Sequence, residues 1–134
     1  MTLESIKSSI EKKWHGRPAE LSLSILDHVK SASAYERKML SFNDLLYALG
    51  LQKVDGDLLA ALNILVSSSQ PLLSRGYLLI DDDGNEFEIS SDEVADAKKH
   101  SSLVHPETGE EISDYERQLV LYFYPSPKLS GSLE

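Results

Sequence analysis

The 134-residue chain contains no cysteine, which removes disulfide bridges, thiolate metal ligands and cysteine nucleophiles together. Glycine is scarce, with seven residues, and every glycine stands alone, so no glycine-rich loop is available to cradle a phosphate. No apolar run approaches the ~18 residues that a membrane span requires, and no membrane partner is expected. None of the serines sits in the G-x-S-x-G turn of the serine hydrolases. The opening stretch MTLESIKSSIEKKW scatters charge throughout and holds no apolar block, so no signal peptide is expected and the cytoplasm is the expected location.

Positive charge is also short. Lys and Arg number 13 against 22 Asp and Glu, for a net charge of −9. The deficit is uneven: residues 1–50 carry seven basic and six acidic side chains, whereas residues 51–134 carry six and sixteen. Nucleic-acid affinity comes largely from Lys and Arg displacing counterions, so the later part repels phosphate and favours a partner with a basic face. Hydrophobic residues at 41% and charged residues at 26% are ordinary globular values, and the length suits one domain, assigned to residues 1–124.

Leu3, Ile6, Ile10 and Trp14 recur at helical spacing with lysines between them, which predicts an amphipathic amino-terminal helix over 1–15. Gly16 and Pro18 end it. A second helix is expected from Pro18 or Ala19 to Ala32, with Leu21, Ile25, Leu26 and Val29 inward. Residues 31–37 read as a connector anchored by Tyr35. Ser41 and Asp44 form the signature of a capping box, Gly50 closes that helix, and Asp55 or Asp57 caps a further helix, DGDLLAALNILVS. After the linker 67–71 the period turns strand-like, and DDDGN between LLSRGYLLI and FEIS is a hairpin signal.

The order of helix, helix-turn-helix and hairpin over residues 18–90 resembles the winged helix-turn-helix superfamily. The resemblance implies a mainly α fold with a small antiparallel β-hairpin, a three-helix core plus wing, and flanking elements at both ends. Ser91 is expected to cap a polar helix, VHPETGEE to be a turn begun by His105 and Pro106, and residues 112–124 to be either helix or strand. Residues 125–134 read as a flexible tail.

Catalytic and metal signatures are absent. His15, His28, His100 and His105 include no pair at metal-motif spacing. Setting Gly84 sixth in a calcium loop places Leu79 first and Ser90 last, where carboxylates belong, so the acidic stretch is a hairpin tip. No enzyme activity, metal or cofactor is expected.

A winged helix that reads DNA presents Arg, Lys, Asn or Gln from its third helix. This one offers Asp55, Asp57, Leu58 and Asn63, and its wing offers Asp81, Asp82, Asp83, Glu86 and Glu88. Those residues are therefore expected to meet another protein, making the chain a regulatory or protein-interaction module. The alternative is a DNA-binding transcription regulator that uses Lys7, Lys12, Lys13, Arg17, Arg37 and Lys38. Self-association as a homodimer is expected through Ile6, Ile10, Trp14, Tyr122 and Phe123.

Overall fold

The computed structural model describes residues 2–67 and 71–133, so residues 68–70 of the expected linker lie outside the described residues. Helices and antiparallel strands share the fold, and the strand content exceeds the single hairpin expected. The chain forms two compact units, residues 1–75 with 123–134 and residues 76–122.

In the first unit, α1 (Leu3–Lys13) starts on a capping box between Thr2 and Ser5. The chain then turns on Gly16, whose φ of +80° is one that L side chains rarely adopt. The second helix, α2 (Gly16–Ser31), begins earlier than expected, with Pro18 inside its first turn. Proline is tolerated there because first-turn N–H groups have no partner within the helix.

A single turn, α3 (Ala34–Arg37), replaces the expected connector. Tyr35 does not anchor it, being 84% exposed. Arg37 does, through Nε to the Val29 carbonyl and Nη2 to the Lys30 carbonyl, both at 2.7 Å, which satisfies carbonyls at the end of α2. After β1 (Leu40–Ser41), α4 (Phe42–Leu49) opens on the Ser41–Asp44 capping box and closes at Gly50, φ +68°. The Asp55 carboxylate caps α5 (Gly56–Val66) by accepting the Leu58 N–H at 2.9 Å.

α2 and α5 meet through small side chains. Ser22 is fully buried, its hydroxyl 2.9 Å from the Pro18 carbonyl and 3.2 Å from the Ala61 carbonyl. The inward stripe of α2 is thus Ser22, Ile25, Leu26 and Val29, with Leu21 only half-buried. Leu58, Ala61, Leu62 and Leu65 face inward from α5.

Residues 127–133, expected to belong to a flexible tail, form a helix. α7 (Pro127–Leu133) buries Leu129 completely. Ser126 donates its backbone N–H to the Leu72 carbonyl at 2.9 Å, and its hydroxyl accepts the Leu129 N–H. Pro127 starts this helix, a position for which its fixed φ is suited.

Strand β2 (Leu73–Ile80) runs into the second unit at Gly76 and pairs antiparallel with β3 (Glu86–Ile89), from Tyr77 opposite Ile89 to Ile80 opposite Glu86. Gly84, at φ +83°, turns the hairpin. Ser90, one residue before the expected cap, accepts the Glu93 N–H and starts α6 (Ser91–His100). The VHPETGEE stretch is itself a hairpin, β4 (Leu103–Val104) with β5 (Glu111–Ile112). The open alternative for residues 112–124 resolves into a 3-10 turn at Tyr115–Arg117 and a strand, β6 (Leu119–Pro125). The larger sheet has the order β1-β6-β2-β3. Leu79, Ile89, Val94, Ala97, Leu103 and Tyr115 form the core of this unit.

Gly76 is required by a close approach. A Cβ built there would lie 2.3 Å from Tyr122 Cζ, and the Tyr122 ring is itself buried. Gly76→Ala is expected to destabilise the chain by about 1–3 kcal/mol through overpacking. Urea denaturation checks this, and the penalty should shrink when Tyr122→Leu is added.

Candidate functional site

Helical phase decides what α5 presents. With Leu58, Leu62 and Leu65 inward, Leu59, Ala60 and Asn63 fall on the outer face, and Leu59 is 51% exposed. Leu58, expected to meet a partner, is fully buried, and Leu59 is the leucine that α5 exposes. Its signal was present in the sequence, since the leucine after an inward leucine lies about 100° around the helix.

Beside this face a groove of about 540 Å³ is lined from α5 by Ala60, Asn63, Ile64 and Ser67. Its other wall is Lys13 and Trp14 at the end of α1, with His15 and Pro18. Trp14 is 40% exposed, and the Lys13 ammonium stands 5.4 Å from its ring centroid, a cation–π distance. No lining residue described for this groove is acidic.

The carboxylates at the start of α5 are not free. Arg17 Nη1 lies 2.8 Å from both Asp55 Oδ2 and Asp57 Oδ2. The Arg17 hydrogen bond, reinforced by the Leu58 N–H, holds the Asp55 carboxyl below the usual carboxylate range. The same bridge takes Arg17 out of the basic patch. Lys7 is also engaged, 2.7 Å from Asp27 Oδ1, and Arg37 is turned onto the carbonyls of α2. Of the six cations in the alternative reading, three are thus committed to their own chain, while Lys12, Lys13 and Lys38 are exposed.

At the hairpin tip, Asp81 points inward. Its Oδ1 accepts the Asp83 and Asn85 N–H groups at 3.0 and 2.8 Å, and its Oδ2 lies 3.0 Å from His105 Nε2. His105 Nδ1 accepts the Glu107 and Thr108 N–H groups at 3.1 and 3.2 Å. An atom that accepts two N–H bonds carries no proton, so the geometry requires the Nε2–H tautomer donating to Asp81. The Phe87 ring meets the imidazole edge-on at 4.8 Å.

An aspartate oriented on a histidine suggests a general base, yet both ring nitrogens are occupied and the imidazole is buried. The pair instead ties the Asp81–Asn85 turn to the 105–110 turn. Nothing local reveals this, because the partners lie 24 residues apart. Asp82 accepts from Gln118 at 3.1 Å, and Asp82, Asp83, Glu86 and Glu88 remain exposed.

The expected self-association surface is largely internal. Ile6, Ile10, Tyr122 and Phe123 are buried, Phe123 edge-on against Phe42 at a centroid distance of 5.6 Å. An aromatic strand with so many large side chains supplies core, which leaves Trp14 alone of the five at the surface. Among the described residues no helix is long and apolar enough to cross a membrane. No family model matches the chain, and comparison with curated proteins and with solved structures returns no match.

His105, ahead of the turn N–H groups, is the first cause of a lowered Asp81 carboxyl pKa. A depressed folded value contributes stability above the unfolded aspartate pKa of about 3.9, and that contribution is lost as pH falls through the folded value. Asp81→Asn, which also turns an amide toward the His105 N–H, is expected to lower the urea midpoint at neutral pH. The gap from wild type should close below about pH 4. A gap unchanged with pH would show that the carboxylate charge does not matter.

Proposed function

We propose that the chain is a non-enzymatic protein-interaction module of winged-helix type, with α2, α4 and α5 as the three-helix core and the outer face of α5 as the contact surface. The topology supports the architecture with one change. In a simple winged helix the strand that leaves for the wing and the strand that returns from it are neighbours joined by a short loop, and here β2 and β6 are such neighbours with β1 on the far side of β6, but 38 residues separate them. Residues 81–118 therefore stand where a short wing loop would be, and the β2–β3 hairpin is part of that insertion.

One observation carries the functional reading: the outer face of α5 is uncharged and partly apolar at Leu59, Ala60 and Asn63. A duplex-reading helix needs side chains that reach bases and phosphates. Binding phosphate through Lys7 or Arg17 would require breaking their ion pairs with Asp27, Asp55 and Asp57. A module that regulates by binding another protein needs only a complementary apolar patch, which this helix offers.

Incubation with random-sequence duplex DNA at about 50 and about 200 mM salt should give no mobility shift at either concentration. Micromolar binding that weakens steeply with salt would overturn the proposal. Leu59→Glu keeps helix propensity while charging the surface. Proteins retained from cell extract by the wild type are expected to be lost on this variant at unchanged circular dichroism, and an identical profile counts against the α5 face.

A further inference from the structure

The groove between Trp14 and α5 is unlike the clefts of the second unit. Those three carry Glu93, Asp96 and Glu111, Asp114 and Glu116, or the aspartates of the hairpin tip, whereas no acid is described along the Trp14 groove. In a chain of net charge −9 this sets the groove apart from those three described clefts. Its charged wall is Lys13, preceded by Lys12 in the last turn of α1. The nearest acids along α5, Asp55 and Asp57, are already bridged by Arg17.

We infer that this groove binds an amphipathic segment of another protein whose apolar anchor is flanked by Asp or Glu. The inference rests on the interaction-module reading and adds the chemistry of the partner. The floor and walls are apolar at Trp14, Pro18, Ala60 and Ile64, and the volume of about 540 Å³ lies within the range of clefts that hold ligands. A leucine or aromatic anchor fills such a space, while its acidic neighbours meet Lys12 and Lys13. The acidic remainder of the chain does not cancel this attraction, because at physiological salt charges more than about 8 Å apart are largely screened. The Ser67 hydroxyl donates to Asn63 Oδ1 at 2.7 Å, which leaves the Asn63 amide N–H groups to orient the segment.

Trp14 is the only tryptophan, so its fluorescence reports occupancy directly. Two synthetic helical peptides share one leucine stripe, one with Glu and the other with Lys at every polar position. The Glu peptide is expected to shift Trp14 emission to the blue saturably, and Lys13→Glu to weaken it by about tenfold, equivalent to about 1.4 kcal/mol. Asn63→Glu on the opposite wall should weaken it independently, which guards against a folding effect of either variant. Equal or stronger binding of the Lys peptide overturns the inference. So does quenching by oligothymidylate at lower concentration than the Glu peptide, which would assign the groove to nucleic acid. A blue shift on raising the protein concentration alone would assign it to a second copy and likewise overturn the proposal. Loss of extract partners on Leu59→Glu, together with no response to the Glu peptide, removes this partner class while leaving the interaction module standing.

Discussion

The approach of α2 and α5 at Ser22 and Ala61 governs what the first unit presents to solvent. Two small residues let the backbones come close enough for the Ser22 hydroxyl to reach the Ala61 carbonyl. Ala61 then points inward, and the phase of the whole helix follows: Leu58, Leu62 and Leu65 go inside and Leu59, Ala60 and Asn63 go outside. The pairs Arg17–Asp57 and Ser22–Ala61 advance together from the amino ends of both helices. Those positive dipole ends lie near one another, and the Asp55 and Asp57 carboxylates offset their repulsion as well as receiving Arg17. Carboxylates that look like a partner's target in the sequence are thus consumed by the way two helices pack.

Stability and availability also separate in the basic residues. Exposed ion pairs such as Lys7–Asp27 add little to folding. They still decide availability, since a cation held at 2.7 Å from its own carboxylate must give up that contact before it reaches a phosphate. Arg37 is more firmly placed, because its guanidinium satisfies two carbonyls that the end of α2 leaves without partners.

Legibility in the sequence tracked the range of the interaction. The Ser41–Asp44 box, the Gly50 stop, the Asp55 cap and the Gly84 hairpin all depend on residues within five positions of one another, and all were readable. Residues 112–124 were ambiguous because Tyr, Leu, Val and Phe suit either a buried helix or a strand, and only pairing within the sheet selects β6. The Asp81–His105 link, the Arg17 bridge and the Trp14 groove join segments far apart in the chain, so no local pattern announces them. Residues 125–134 read locally as a tail, yet Pro127 is a favourable first residue of a helix and Leu129 finds a buried place that no local pattern announces.

The acidic hairpin has a physical role that does not require a partner. β3 is the last strand in the order β1-β6-β2-β3, so one side of it is a sheet edge. An edge with unpaired N–H and C=O groups is a template for another chain, and charged side chains discourage such pairing. Glu86 and Glu88 are exposed on that strand, and Asp82 and Asp83 stand exposed at its turn. Two copies meeting edge to edge would bring these carboxylates together at short range, where screening is least effective. Asp81 alone is drawn inward, by His105 and the turn N–H groups, which makes it the structural member of the acidic run. The negative charge of the hairpin is then accounted for by edge protection, which sets it apart from the uncharged outer face of α5 at Leu59, Ala60 and Asn63.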